Sequence, residues 1–283
     1  CDLAGLPKDR YYLYRSKWQK QQHTIHLLPH WTWPKRKGEV TPVYCYTDYD
    51  EAELFVNGKS QGRRKKLKNL KIEKLKDSKN EELKDSKNED SKDGGRLDRY
   101  RLRWNDVRYE PGELKVVVYD EQGKPAGEQI VKTAGKPHHL QLDVWTQASP
   151  ESPVRAIGPI GPIGPMRPIG PIGPMSHKEP AATLLADGQD LAFVTVSLVD
   201  KDGTLIPDAA DQLELKVKGA GQFRAVCNGD ATSLEPFTQP TMKLFSGQLV
   251  AVVQASHQPG SLTLEVYDRK RGLKASTVVE VKN

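Results

Sequence analysis

The chain has 283 residues, enough for two domains of ordinary size. Only 36% of it is hydrophobic and the mean hydropathy is −0.66, which excludes one densely packed domain running its whole length. The net charge of +6 is not a nucleic-acid signature, because residues 63–93 carry twelve Lys/Arg against eight Asp/Glu and hold most of the excess in one mixed-charge segment without aromatic residues.

Residues 7–22 read as a helix. Pro7 suits a first helical turn, where its missing N–H costs nothing, and Asp9 favours the positive end of the helix dipole. Tyr11, Leu13, Tyr14 and Trp18 then recur at helical spacing. So aromatic a helix, with no helical partner near it in sequence, implies a further surface to pack against. Strand signals follow. Thr24–Leu28 ends at Pro29, and Val43–Thr47 comes next. Glu51–Val56 alternates, with Ala52, Leu54 and Val56 on one face. Asn57-Gly58 is the strongest two-residue hairpin signal. Tyr100–Trp104, Leu114–Tyr119 after the turn Glu110-Pro111-Gly112, and Gln129–Thr133 continue the pattern. Short strands at this spacing, separated by turn residues, indicate a β-sandwich.

Two repeats interrupt it. LKDSKNEE at 75–82 recurs as LKDSKNED at 83–90, within a charged insertion at 63–95 that has too few apolar residues to build a core. At 157–175, IGPIGPIGPMRPIGPIGPM places glycine at every third residue either side of Arg167. A collagen helix needs three chains and long unbroken triplets, so this stretch reads as an extended linker or loop over 148–180. From 181 the strand pattern resumes with Leu191–Asp200, Leu213–Val217, Leu249–Val253, Leu262–Val266 and Thr277–Val281, and turns fall at Asp202-Gly203 and Asn228-Gly229-Asp230. This spacing suits an immunoglobulin-like sandwich.

Cys1, Cys45 and Cys227 lie far apart without zinc-ligand spacing, and Cys45 sits in an apolar alternation as a buried small hydrophobe. No metal or cofactor is expected. No apolar run reaches the length that spans a membrane. The chain lacks an initiator Met and is expected to begin inside a larger protein.

Three stretches carry a resemblance. Residues Cys1 to Tyr12, CDLAGLPKDRYY, resemble the segment after the last barrel strand of family 2 glycoside hydrolases of the β-galactosidase type. His26 to Trp33, HLLPHWTW, resembles that family's entry into its first C-terminal sandwich. Glu53 to Gly62, ELFVNGKSQG, resembles one of its hairpins. Asp187 to Leu191 and Asn228 to Ser233 are similar to its last immunoglobulin-like domain. The resemblance implies a mainly β chain: two immunoglobulin-like β-sandwich domains, preceded by one helix of a truncated (β/α)8 barrel. Residues 1–22 would be the barrel remnant, 23–147 the first sandwich and 181–283 the second.

Family 2 enzymes resemble the retaining scheme, in which one carboxylic acid protonates the leaving oxygen and a carboxylate about 5–5.5 Å away attacks the sugar. The resemblance puts both glutamates on earlier barrel strands, so no catalytic residue is assigned in this chain. Asp48, Asp50 and Glu51 read as a solvated turn, Asp200, Asp202 and Asp230 as turn formers, and His138-His139 as linker residues. Trp104 and Trp145 read as core or interface aromatics. His30, Trp31 and Trp33 form the one candidate surface. Aromatic rings stack on sugars, but the same residues suit packing of the sandwich against the barrel. The expected partners are that barrel and a β-galactoside or other glycan, with no nucleic acid, no membrane span and an oligomer left open. A secreted or periplasmic location follows from the resemblance only. Rival readings are a carbohydrate-binding module and a structural immunoglobulin-like pair.

Overall fold

The computed structural model describes residues 1–19, 21–66, 98–146 and 182–283. The repeat at 75–90 and the glycine triplets at 157–175 lie outside the described residues. Two units emerge, Asp9–Thr133 and Cys1–Lys8 with Ala134–Asn283.

The first unit holds α1 (Asp9–Trp18) and the strands β1 (Ile25–Leu28), β2 (Val43–Thr47), β3 (Glu51–Val56), β4 (Lys59–Lys65), β5 (Leu102–Trp104), β6 (Glu113–Tyr119) and β7 (Pro125–Lys132). They form a sheet in the order β1-β2-β5 and another in the order β4-β3-β6-β7. Period-two alternation decides which side chains go inside. Ala52, Leu54 and Val56 of β3 are buried together with Leu114, Val116 and Val118 of β6. Leu54 and Val116 are register partners in adjacent strands. Leu27, Val43, Cys45, Leu102 and Trp104 from the other sheet join the same cluster. Burial pushes the Cys45 thiol up to about 12, so it stays protonated and inert at neutral pH.

The β3–β4 hairpin turns at Asn57 (φ 49°) and Gly58 (φ 77°), the left-handed pair that the Asn-Gly signal demands. Asn57 also works across the sheet end. Its Oδ1 accepts the Glu113 N–H at 2.8 Å, and its Nδ2 donates to the Pro111 carbonyl at 3.1 Å. The amide lies so close to Gly112 (φ 134°) that any Cβ there would overlap it. One side chain thus fixes two turns.

The second unit contains β8 (His139–Thr146), β9 (Thr183–Leu185), β10 (Leu191–Val199), β11 (Gln212–Gly219), β12 (Gly221–Cys227), β13 (Thr241–Lys243), β14 (Gln248–Ala255), β15 (Gly260–Asp268) and β16 (Leu273–Lys282). One sheet runs β12-β14-β10-β8, and the other β13-β11-β15-β16-β9, where the β16–β9 pair is parallel. Both sheets feed one core through Val194, Val196 and Leu249 on one side and Leu213, Leu264 and Val279 on the other. The mainly β, two-sandwich architecture expected from the sequence is the one observed.

Three boundaries differ from the expectation. The helix is Asp9–Trp18 rather than 7–22, and Cys1–Lys8 associates with the second unit instead of running with the helix as one remnant. The charged insertion was expected from 63, yet Arg63 to Lys65 complete β4. There Arg63 pairs with Glu51 at 2.7 Å and its guanidinium lies 3.5 Å from the Tyr119 ring centroid. The first sandwich ends at Thr133, not 147, because His139–Thr146 pairs along its length with β10. His139 therefore opens a strand rather than belonging to a linker.

Candidate functional site

The candidate residues His30, Trp31 and Trp33 lie on the loop after β1, and they have three different fates. Trp31 has no exposed surface. Its indole N–H donates to the Glu110 carbonyl at 2.9 Å, and its ring meets Tyr109 edge-on at 5.0 Å. The Thr133 hydroxyl donates to the Trp31 carbonyl at 2.6 Å and accepts the Gly112 N–H at 3.0 Å. The Tyr109 hydroxyl takes the Trp33 N–H at 3.2 Å. Tyr109 is itself fully buried, so the loop is bolted to the core through its middle. Trp33 is half-buried, and its Nε1, though enclosed, has no hydrogen-bond partner among the described residues. His30 is exposed and stacks on Trp33 at 4.0 Å, while the Arg36 guanidinium lies 5.5 Å from the same ring. Only the His30–Trp33 pair presents surface outward.

A second aromatic group surrounds α1. Tyr12 stacks on His26 at 3.8 Å, and His26 Nε2 meets Asp9 at 2.7 Å. These contacts tie the inner face of α1 to β1. The outer face is different. Tyr14 and Trp18 stack at 4.8 Å and are 50% and 75% exposed, whereas Ser16 is the buried residue of the helix. The sequence marked this helix as one in need of a partner, and its own unit covers one side only.

The acidic cluster before β3 is a local brace. Asp48 pairs with His23 and accepts the Thr24 N–H at 2.7 Å, which closes the link from α1 into β1. Asp200 does the same in the second unit, accepting N–H groups of Gly135, Asp202 and Thr204 at 2.7–2.9 Å. Burial raises its carboxyl, but these hydrogen bonds outweigh it and leave the pKa below the ordinary value. Lys66, at the end of β4, is buried and donates to the Thr47 carbonyl at 2.7 Å. Desolvation, with the Lys17 ammonium adding to it, brings its pKa down to about 8. Next to it, Arg64, Lys65, Asp98, Arg101 and Arg103 line a shallow cavity in which Asp98 neutralises Arg103 at 3.0 Å and Arg101 at 3.9 Å. Among the described residues no group of His, Cys, Asp and Glu is arranged to hold a metal, and no helix is long and apolar enough to cross a membrane.

Trp104 is a core residue, as expected, with its indole N–H on the Gly62 carbonyl at 2.8 Å, and Trp145 sits half-buried in β8. One residue escaped sequence reading altogether. Asp2 has a side chain 5% exposed; it accepts the N–H groups of Ala4 and Leu6 and pairs with Lys8, and it also rests against Gly229, a contact too distant in sequence to leave a local signal.

Residues 178–279 match the model of glycoside hydrolase family 2 C-terminal domain 5, and residues 38–127 match a domain of unknown function, DUF4982. Over 264 residues, 93% of this chain, the sequence is 34% identical to beta-galactosidase BoGH2A of Bacteroides ovatus, of which the match covers 23%. Over 144 residues, half of this chain, it is 52% identical to a putative beta-glucuronidase of Formosa agariphila, covering 11% of that protein. The crystal structure of a beta-glycosidase from Bacteroides vulgatus superimposes with a TM-score of 0.71 at 25% identity, over 99% of this chain and 27% of that one. The chain spans about a quarter or less of the length of these relatives.

Proposed function

We propose that this chain, which carries the C-terminal domain of glycoside hydrolase family 2, is the accessory region of a retaining enzyme that hydrolyses terminal β-galactosides. In that reading it braces a catalytic (β/α)8 barrel, the two catalytic glutamates belong to the barrel, and the chain alone is inactive. A location outside the cytoplasm, secreted or periplasmic, accompanies the reading by family resemblance. The beta-galactosidase relative supports the β-galactoside, and the glucuronidase relative names the nearest competing substrate class.

The observation that carries the bracing role is the outer face of α1. A ten-residue helix is marginal on its own in water, and its stability has to come from packing. The sandwich supplies part of that packing, through Tyr12 stacked on His26, the Asp9–His26 pair and the buried Ser16, while Tyr14 and Trp18 stack on each other in the open. Exposed paired aromatics on a surface helix mark an interface, and the barrel is the partner that fits. His30 and Trp33 offer a second aromatic contact of the same kind.

A carbohydrate-binding module would instead need a row of exposed rings along a sheet face. Among the described residues the most exposed rings are those of Tyr14, Trp18, Tyr100 and Phe237, which lie on a helix and in loops. Replacing Trp18 by serine tests the bracing role. In the 283-residue chain a surface change of this type shifts stability by no more than about 0.5 kcal/mol. In a chain extended upstream through the barrel, the same change lowers the melting temperature of the barrel transition by several degrees, since an interface aromatic is worth about 2 kcal/mol or more. Equal, small effects in both proteins contradict the bracing role.

A further inference from the structure

Lys66 follows β4 with its side chain turned inward, and only 6% of the residue is exposed. Two bonds fix it there. Its backbone N–H donates to the Asp50 carbonyl at 2.8 Å, and its ammonium donates to the Thr47 carbonyl at 2.7 Å. Thr47 is itself fully buried at the end of β2. An ammonium has several N–H groups to place, and a buried one is ordinarily held by a carboxylate, because an uncompensated charge costs stability. What lies against Lys66 is a second ammonium. Lys17 comes from the last turn of α1, where the carbonyl end of the helix favours a cation, and its ammonium is also 5.6 Å from the Tyr100 ring centroid. Among the described residues neither lysine pairs with a carboxylate.

Besides burial, the groups that act on the charge of Lys66 are Lys17, Asp50 and the Cys45 thiol. Desolvation and then the Lys17 ammonium favour the neutral amine, the Asp50 carboxylate and Cys45 oppose them less strongly, and the balance is the pKa of about 8. A sizeable share of this nitrogen is then unprotonated just above neutrality, where an ordinary lysine has almost none. The site thus combines a nucleophilic amine with a place for a negative charge. One reaction meets both conditions. The nitrogen lone pair attacks the carbon of carbon dioxide, a C–N bond forms, one C=O electron pair moves onto oxygen, and a proton leaves the nitrogen for solvent. The product is a carbamate, with neither oxidant nor reductant consumed. Carbon dioxide is small and uncharged, so it needs no open cleft to reach the amine.

We propose that Lys66 is a carbon dioxide site: it forms a carbamate whose remaining N–H stays on the Thr47 carbonyl and whose carboxylate pairs with Lys17, so that an ion pair ties the last turn of α1 to the end of β4 where two like charges met before. NMR of the 283-residue chain in isotopically labelled bicarbonate tests it. The α-amine of Cys1 can form a carbamate too and supplies a resonance of its own. The Lys66 resonance is the one lost in Lys66→Arg and kept in Lys65→Arg. Arginine preserves the charge and a donor for Thr47, and circular dichroism matching the parent verifies that each variant is folded. Lys17→Glu gives Lys66 a carboxylate partner, holds the amine protonated and abolishes the signal, whereas Lys17→Arg keeps the cation and retains it. Absence of any resonance that Lys66→Arg removes overturns the proposal. A Lys66 carbamate that persists undiminished in Lys17→Glu overturns it as well.

Discussion

Replacing Trp31 by alanine is expected to destabilise the first unit by about 3–5 kcal/mol, the usual cost of deleting a buried tryptophan. Three losses combine. The cavity left by a fully enclosed indole cannot be filled by exposed neighbours, because Tyr109 against it is itself a core residue. The bond from Nε1 to the Glu110 carbonyl disappears and leaves that carbonyl to find another donor. The edge-on contact with Tyr109 is lost, and Tyr109 also anchors Trp33 through its hydroxyl. Trp33→Phe provides the contrast. It removes a donor that has no partner among the described residues and keeps a ring under His30, so its cost is about 1 kcal/mol or less. Chemical denaturation followed separately for the two units measures both variants. A Trp31→Ala chain as stable as the parent would show that this indole is not a core residue.

In the second unit the largest effect is expected from Arg271→Met. Asp211 has a side chain only 1% exposed and is held by Lys270 at 2.6 Å and Arg271 at 2.8 Å, while Arg271 also lies 3.7 Å from the enclosed Asp268. Removing the guanidinium takes the cation from both buried carboxylates, leaving Asp268 the residue-271 backbone N–H at 3.1 Å and Asp211 the Lys270 ammonium, which costs about 3 kcal/mol or more at neutral pH. The pH dependence follows from the sign of the shift. Burial raises the Asp211 carboxyl, but hydrogen bonds from Lys270 and Arg271 outweigh it and hold its pKa below the ordinary value. Its folded pKa is thus below the unfolded one, so its stabilisation is complete above the ordinary carboxylate range and is lost as the pH falls through the folded value. The deficit of Arg271→Met relative to the parent should therefore shrink on acidification. A deficit that stays constant into the acid range would mean that lost packing, not charge, is responsible.

What the sequence reveals and conceals follows from the range of each signal. Alternation is local, so β2 and β3 are legible to the residue, and Asn57-Gly58 gives its turn because only that backbone geometry joins two twisted strands closely. Alternation does not name the sheet a strand joins. HLQLDVWT is a good strand on sight, but nothing within it says that β10 is its partner. β12 is hidden by an irregularity between Phe223 and Ala225 that breaks the period, and β9 and β13 are three-residue strands with no period to detect. The candidate loop shows a different ambiguity. Trp31 and Trp33 have the same chemistry in sequence, and only burial separates the one inside the core from the one at its edge. The contact between Asp2 and Gly229 was illegible for the plainest reason, since its two halves lie at residues 2 and 229.

The central claim is that this chain is an accessory region whose chemistry resides elsewhere in the whole protein. Hydrolysis of a chromogenic β-galactoside by the purified 283-residue chain, beside the chain extended upstream through the barrel, tests it most directly. The account predicts turnover by the extended protein and none by the short chain, whereas turnover by the short chain would contradict it.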